Sequence, residues 1–210
     1  MQLILASSSP RRNELLALLG LAFKVYPSDF HEHPSVGLSP FEQVKQFALE
    51  KARSVAKIHP HAYVLGSDTV IELDGRLLGK PRDRCDSWVM LRVLAGRSHH
   101  VHTAVALING EHNHEAVKVA TATVHMKPDE GERYERYLES GESLGKAGSY
   151  AIQGLGGELV ERIEGDYTTV VGLPLKLVAD LLQSASYQVA ANVESLYQRK
   201  PYANWLRFAV

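Results

Sequence analysis

The N-terminal segment holds the feature that most restricts the fold, an apolar run that leads through a short turn into a helix. Residues 2–6 are apolar enough to form a buried strand, and leucines recur at helical spacing within residues 13–19. Ser9 is suited to cap the helix, Pro10 fits its first position, and Gly20 is a typical stop signal. A strand joined so closely to a helix predicts a sheet with helices packed against it.

The rest of the chain continues this mixture of strands and helices, without an internal repeat or a low-complexity linker. Ser39 to Glu42 has the capping-box pattern, which opens a predicted helix that runs to about residue 58. Apolar periodicity predicts the other elements, which are strands at 23–26, 63–71, 100–107, 116–126 and 158–163, and helices at 84–94, 128–140 and 173–182. This order predicts an α/β (mixed α+β) fold with helices flanking the sheet.

Composition sets the broad class of the protein. The chain has 210 residues, a formal net charge of −1 and 45% hydrophobic residues, as expected of a globular domain. A near-neutral charge argues against a dedicated nucleic-acid binder, which usually carries a basic excess. Cys85 is the single cysteine, so no intramolecular disulfide can form and a reducing compartment, the cytoplasm, is expected. No apolar run approaches the ~18 residues of a membrane span, so no membrane partner is expected.

The turn from Ser7 to Arg12 has the residue types of an anion site. The first N–H groups of a helix lack partners within it, and the helix dipole favours an anion at this end. Serine hydroxyls add donors, and the forked guanidinium groups of Arg11 and Arg12 match phosphate oxygens. A capped helix with two solvated arginines would give the same pattern, so the turn alone leaves both interpretations open.

Two further segments carry a charged group next to glycine. Asp68, within Gly66–Thr69, lies at the end of an apolar run, where a carboxylate can hold a divalent cation or take a proton from water. Lys80 lies between Gly79 and Pro81 and can act as a point charge for phosphate. The glycine spacing is one residue short for a Walker P-loop and Pro81 replaces its hydroxyl residue, so an NTPase of that class is not expected. Either segment alone is also compatible with an ordinary turn.

Residues 146–157 form a glycine-rich stretch in which the backbone can approach a ligand closely. Gln153 offers a donor and an acceptor that can read a base edge, although the GxGxxG spacing of dinucleotide sites is absent. His100 and His102 fall on one face of a predicted strand, which is expected to be exposed. Without a cysteine cluster or an HExxH motif, a zinc site is not expected there. Cys85 is expected to pack within its helix.

Taken in order, these segments resemble the Maf family of nucleotide pyrophosphatases. The matching text is Leu5–Arg12, Glu50–Ala52, Gly66–Thr69, Gly79–Pro81, Leu94–Gly96, Lys146–Gly157 and Val171–Leu175. Each motif is weak on its own, but the set in this order is highly specific. The resemblance implies a mixed α/β fold with an elongated sheet, two lobes and a central cleft, as in ITPase-like proteins. It also implies a homodimer, a divalent metal (Mg²⁺ or Mn²⁺), and hydrolysis of a nucleoside triphosphate between its α and β phosphates.

The resemblance also implies roles for individual residues. Asp68 would accept a proton from the attacking water and, with Glu32, bind the metal. Thr69 and Gln153 would contact a pyrimidine. Within the family, the paired arginines, this threonine and this glutamine mark the branch that acts on dTTP and UTP. The side chains implied to hold the triphosphate are Ser7, Arg11, Arg12, Lys51 and Lys80.

The sequence departs from the family pattern near the implied metal site. Phe30-His31 precedes Glu32 where Ile-Asp is usual, Gln46 replaces a frequent arginine, and Gly145 stands where an acidic residue is common. These departures concern metal affinity and rate more than the class of reaction. They keep an alternative open, namely a nucleotide-binding regulator of septum formation with little turnover.

The resemblance ends near residue 183, so residues 1–183 are predicted to form one catalytic domain and residues 184–210 a C-terminal extension. The extension carries five aromatic side chains among few charges. We predict a helix that docks on the body of the protein or on a dimer partner. A flexible tail and a lipid-contacting segment are the alternatives, although no clear basic amphipathic face supports the second.

Overall fold

The computed structural model describes residues 2–129 and 131–208. Its strands are β1 (Leu3–Leu5), β2 (Phe23–Val25), β3 (Tyr63–Leu73), β4 (Arg76–Leu78), β5 (Ser98–Asn109), β6 (His114–Met126) and β7 (Val160–Glu164). They form a sheet in the order β2-β1-β3-β5-β6-β7, with β4 paired to the end of β3. β1 lies parallel to β2 and β3 and the other pairings are antiparallel, which makes the sheet mixed.

The helices are α1 (Pro10–Ala17), α2 (Pro40–Ala56), α3 (Arg84–Leu94), α4 (Glu132–Glu139), α5 (Tyr167–Val171), α6 (Leu175–Ser184), α7 (Val193–Arg199) and α8 (Ala203–Phe208). Among the described residues, none of the helices has the length and apolar character needed to span a bilayer. The Ser9 side chain caps α1 by accepting from the Arg12 N–H. The capping box predicted for α2 is complete, because Ser39 and Glu42 each accept a hydrogen bond from the other's N–H.

The sheet is covered by apolar side chains on both faces. Successive residues of a strand point to opposite faces, so Leu3 and Leu5 join one buried cluster while Ile4 joins the other. The apolar residues of α2 complete the cluster on the Ile4 side, whereas α1, α3, α4, α6 and the C-terminal helices supply the other. The predicted class, a mixed α/β fold with helices flanking a mixed sheet, is therefore confirmed.

β3 is the strand that positions the candidate site. β5 pairs with it continuously from Val64 to Glu72, so Asp68 lies inside the strand, opposite Ala104. The strand predicted at 63–71, which continues past Asp68, is confirmed as Tyr63–Leu73, whereas the indication that Gly66–Thr69 ends an apolar strand is wrong. On the other edge, β1 ends opposite Leu65, and the turn after β1 therefore runs beside the following residues of β3.

Two helices begin later than the sequence predicts. α4 begins at Glu132 and not near Pro128, because Gly131 has a left-handed φ of 68° that a right-handed helix cannot include. α6 begins at Leu175, two residues after the predicted start, since Pro174 is extended and forms its N-cap. The core faces of both helices are nonetheless those expected from their apolar spacing.

Two side chains lie in surroundings other than those predicted. His102 is buried, and its ring nitrogens lie 2.8 Å from Thr121 Oγ1 and 2.7 Å from Glu72 Oε2. These two side chains and Phe41 of α2, whose ring centroid lies 6.0 Å from that of His102, cover the histidine, whereas His100 on the same face is exposed as predicted. Cys85 is exposed instead of packed, because it lies in the first turn of α3, ahead of the buried positions of that helix.

The C-terminal extension forms two short helices, α7 and α8, that pack on the body of the protein. Trp205 in α8 is 2% exposed and stacks on Tyr167, with ring centroids 5.6 Å apart. Phe208, at the end of α8, is also buried in the larger apolar cluster. The prediction of helical docking is thus confirmed, with two helices in place of one.

Candidate active site

A cavity of about 520 Å³ lies where the turn after β1, the middle of β3 and residues 145–153 meet. Every residue that the sequence singled out for the site lines it, namely Ser7, Arg11, Arg12, Glu32, Lys51, Asp68, Thr69, Lys80 and Gln153. These residues come from distant parts of the chain. Their assembly in one cavity therefore depends on the fold and not on local sequence.

Lys51 joins two carboxylates in the wall of the cavity. Its Nζ lies 2.5 Å from Glu32 Oε1 and 2.5 Å from Asp68 Oδ1. α2, which carries Lys51, can approach β3 this closely because Gly66 has no side chain. A Cβ at that position would lie 2.4 Å from the carbonyl oxygen of Ala48. Gly66, two residues before Asp68, is thus needed for Lys51 to reach the aspartate.

Burial and charge act in opposite directions on the two carboxylates. Asp68 is 4% exposed, and burial raises its pKa above the ordinary range, against the opposing charges of Lys51 and Arg12. For Glu32, partial burial is outweighed by hydrogen bonding to Lys51 and by the charges of Lys51, Lys80 and Arg12, which lower its pKa. The two carboxylates therefore differ in proton affinity, and Asp68 is the better base. We call Arg12, Glu32, Lys51 and Asp68 the carboxylate cluster.

The oxygens of the carboxylate cluster fit a divalent cation. Asp68 Oδ2 is buried and accepts no hydrogen bond from the described residues, so one oxygen is open to a ligand. Carboxylate oxygens suit Mg²⁺ and Mn²⁺, and Mg²⁺ commonly takes one or two of them together with oxygens of water and phosphate. Glu32 and Asp68, both linked to Lys51, are therefore the candidate ligands.

Arg12 is held by three acceptors around the cavity. Its Nε donates to the Gly172 carbonyl oxygen at 2.9 Å, Nη2 to Thr69 Oγ1 at 3.2 Å and Nη1 to Ser7 Oγ at 3.5 Å. Thr69 Oγ1 also lies 2.9 Å from Thr103 Oγ1, so the threonine is held in turn. Burial lowers the pKa of Arg12, which a nearby carboxylate opposes, and a guanidinium stays charged at neutral pH. The side chain is therefore a preset positive charge.

Arg11 lies in other surroundings than its neighbour. Burial lowers the pKa of Arg11, against the opposing effects of Tyr137, Glu142 and Glu14. Lys146 lines the same cavity, and its pKa is lowered by burial and by the positive charge of Arg11. Unlike Arg12, Arg11 makes no side-chain hydrogen bond within residues 2–129 and 131–208. The two arginines thus line the same cavity with different neighbours.

The second side of the cavity is formed by residues 145–154, which we call the Gln153 loop. Gln153 itself is half-buried, and its side-chain amide forms no hydrogen bond with another described residue. The backbone around it is fixed, because Asn204 Nδ2 donates to the carbonyl oxygens of Ile152 at 2.6 Å and Gly154 at 3.0 Å. The loop therefore presents a free donor and acceptor on a fixed backbone.

Sequence reasoning missed the groups that hold these side chains in place. Gly172 acts through its carbonyl oxygen, which also accepts from Ser67 Oγ at 3.1 Å, and a backbone acceptor leaves no mark on residue type. Thr103 lies in β5 and Asn204 in the extension, outside every motif.

The chain is similar to known proteins over most of its length. It matches the family model for Maf-like proteins over residues 2–185. It is 46% identical over 188 residues to the dTTP/UTP pyrophosphatase of Symbiobacterium thermophilum, over 90% of this chain and 96% of that protein. It is 47% identical over 184 residues to the dTTP/UTP pyrophosphatase of Vibrio parahaemolyticus, over 87% of this chain and 96% of that protein. A solved structure, the Staphylococcus aureus Ham1 protein, aligns at 17% identity with 60% of this chain and 72% of its own, with a TM-score of 0.43.

Proposed function

Because this chain belongs to the Maf family, we propose that it is a nucleoside triphosphate pyrophosphatase that hydrolyses dTTP and UTP. Each substrate would yield the nucleoside monophosphate and pyrophosphate, a house-cleaning reaction of nucleotide metabolism. Relatives named dTTP/UTP pyrophosphatase, at 46% and 47% identity, support both the reaction and the pyrimidine substrates. The observation that carries the proposal is a single cavity in which Arg12, Lys51 and Asp68 meet.

Positive charge around the cavity supports binding of a triphosphate. The N-terminal N–H groups of α1 add donors to these charges, and a fixed set of donors needs little rearrangement as charge develops. Arg12 is already oriented by its acceptors, whereas Lys80 is exposed at the rim, with its Nζ 3.9 Å from Glu32 Oε2, and would turn toward the substrate from there. The side chains that would hold the triphosphate are Ser7, Arg11, Arg12, Lys51 and Lys80.

Asp68 would act as the base that activates the attacking water. Its raised pKa makes it a stronger base than an ordinary aspartate, and its Oδ2 has no competing hydrogen bond from the described residues. As the water oxygen bonds to phosphorus, its proton passes to Asp68 and the oxygen bridge between the α and β phosphates breaks. Lys51 holds Asp68 Oδ1 and so orients the carboxylate for this transfer.

Glu32 and Asp68 would hold the divalent cation, Mg²⁺ or Mn²⁺. When bound, such a cation neutralises phosphate oxygens and so offsets the charge of the transition state. The lowered pKa of Glu32, which keeps it ionised, and the contact of both carboxylates with Lys51 support this assignment and leave Asp68 Oδ2 for the proton. We expect EDTA to abolish turnover and added Mg²⁺ or Mn²⁺ to restore it, whereas turnover that survives EDTA would contradict the metal requirement.

Gln153 would recognise the base. Its amide can accept from the N3–H of thymine or uracil while it donates to a neighbouring carbonyl oxygen of the ring. The restraint on the carbonyl groups of Ile152 and Gly154 supports this role, because it limits the positions from which the Gln153 side chain can reach a base. Thr69 also lines the cavity and would contact the base beside Arg12.

Product analysis tests the proposed reaction. With Mg²⁺ present, the purified protein should convert dTTP or UTP to the monophosphate and pyrophosphate, which phosphorus NMR distinguishes from orthophosphate. Orthophosphate as the only primary product would contradict the proposal. Tight dTTP binding with negligible turnover at saturating metal would instead favour the nucleotide-binding regulator of septum formation.

The family resemblance further supports a homodimer in the cytoplasm, with no nucleic-acid or membrane partner. Sedimentation equilibrium of the full chain should then give twice the monomer mass at micromolar concentration. A monomer over the whole concentration range would contradict the dimer.

A further inference from the structure

We infer that Asn204, in the C-terminal helix α8, is a positioning residue for Gln153, so that the extension takes part in the choice of base. The inference rests on the proposed function, in which Gln153 reads the base. The family match ends at residue 185, so Asn204 lies outside the part of the chain that it covers.

The contacts of Asn204 converge on the residues either side of Gln153. Its Nδ2 lies 2.6 Å from the carbonyl oxygen of Ile152 and 3.0 Å from that of Gly154. A side-chain amide has two N–H donors, so one asparagine can hold both carbonyls at once. The peptide groups before and after Gln153 are therefore held by a single side chain.

A second group holds the same turn from within the body of the protein. The Glu142 carboxylate accepts from the N–H of Leu155 at 2.9 Å and from that of Gly156 at 3.5 Å. Asn204 thus restrains carbonyl groups while Glu142 restrains N–H groups a few residues further on. The turn has little freedom left, although the Gln153 side chain has no partner among the described residues.

α8 is seated directly on the loop and is itself firmly anchored. A Cβ on Gly157 would lie 2.5 Å from Asn204 Nδ2, so the contact depends on the absence of a side chain there. Next to Asn204, Trp205 stacks on Tyr167 and meets Tyr197 edge-on, with centroids 5.6 and 5.0 Å apart. A buried aromatic anchor beside the asparagine fixes where its amide can reach.

If Asn204 only attached the extension to the body of the protein, its loss would have different effects from those of a lost positioning contact. Loss of attachment alone would lower the melting temperature and affect all substrates alike. Loss of positioning would raise KM for dTTP with kcat nearly unchanged, and would lower the preference for dTTP over dATP, because only the base contact is displaced.

The experiment measures kcat and KM for dTTP and dATP, by pyrophosphate release, in the wild type and in two variants of the full chain. Asn204→Ala removes the amide, and Asn204→Asp keeps its shape but has no N–H donor. We expect either change to raise KM for dTTP about 5- to 10-fold and to lower the dTTP/dATP ratio of kcat/KM by a similar factor. Leu206→Ala, at a position of α8 that is 60% exposed, is the matched control and should keep the wild-type ratio.

The outcomes separate this inference from the proposed function. If the wild type releases no pyrophosphate from dTTP, the proposed function fails. If the wild type is active and both folded variants keep its dTTP/dATP ratio within twofold, the positioning role of Asn204 is overturned. If Asn204→Asp does not fold, Asn204→Ser replaces it. Serine retains one donor, so we expect a dTTP/dATP ratio of kcat/KM between those of the wild type and Asn204→Ala. A wild-type ratio in both Asn204→Ser and Asn204→Ala would overturn the inference.

Discussion

The two sides of the cavity are held in place in different ways. In the carboxylate cluster, side chains hold one another, since Lys51 lies 2.5 Å from both Glu32 and Asp68. In the Gln153 loop, Asn204 holds the backbone, while the amide of Gln153 makes no hydrogen bond to a described residue. On the first side the side chains are held by one another before substrate arrives, with only Asp68 Oδ2 left open, whereas on the second side the whole side-chain amide of Gln153 is unpaired.

This difference matches the chemistry proposed for each side. Phosphates are alike in all nucleotides, and charged groups already fixed in place stabilise them with little reorganisation. Discrimination between bases instead needs a polar group that forms its hydrogen bond only with the correct base. That group must be carried on a backbone that does not move. The carboxylate cluster should therefore govern rate, and the Gln153 loop should govern selectivity.

The largest expected effect comes from removing the base of the carboxylate cluster. Asp68→Asn keeps the shape of the side chain but cannot take a proton from water, so kcat for dTTP should fall about 100-fold or more. Calorimetric titration should show that dTTP still binds. Asp180→Asn, on the exposed side of α6, is the matched control and should behave as the wild type. A kcat for Asp68→Asn within threefold of wild type would remove Asp68 from the base role.

The second largest effect is a difference between Arg12 and Arg11 in what their substitution by lysine costs in kcat/KM and in melting temperature. Arg12→Lys keeps the charge but loses the fork that reaches Gly172 and Thr69, so kcat/KM for dTTP should fall about 10- to 100-fold and the melting temperature should drop. Arg11→Lys removes no hydrogen bond to a described residue and should cost only about 3-fold, with an unchanged melting temperature. Equal losses in kcat/KM and stability would show that the two sides do not differ as described.

A third prediction concerns stability beneath the Gln153 loop. His99 is buried against Tyr150, with its Nε2 2.8 Å from the hydroxyl, and burial lowers its pKa from 6.5 to about 3. Between these values the unfolded chain binds a proton that the folded chain does not. Stability is therefore lost as pH falls below 6.5, by up to about 1.4 kcal/mol per pH unit from this group.

Urea unfolding between pH 6.5 and 4 measures this slope directly. Because glutamine cannot take the proton, His99→Gln should reduce the slope of the unfolding free energy against pH by up to about 1.4 kcal/mol per pH unit. His61→Gln changes a histidine whose side chain is 81% exposed and should leave the slope as in the wild type. An unchanged slope in His99→Gln would mean that the buried histidine is not the source.

Much of the fold and of the site could be predicted from the sequence because the signals are local. Caps at Ser9 and Ser39 fixed two helix starts, and apolar spacing fixed which faces are buried. The family motifs named residues that prove to line one cavity, since each motif carries its functional side chain within a few positions.

What could not be predicted depends on contacts between distant segments. No local pattern shows that side chains from two other strands and from α2 would cover His102, which the sequence indicated as exposed. The supports of the site act through backbone groups, such as the Gly172 carbonyl oxygen, or from the extension, as Asn204 does. Such contacts depend on which distant segments of the chain the tertiary fold brings together.

The most direct test of a division between rate and selectivity is the dTTP/dATP ratio of kcat/KM in Gln153→Ala. Loss of one neutral hydrogen bond to the base should lower this ratio about 5- to 10-fold, while kcat for dTTP stays within about twofold of the wild type. A ratio equal to that of the wild type, or a fall in kcat as large as that of Asp68→Asn, would contradict the account.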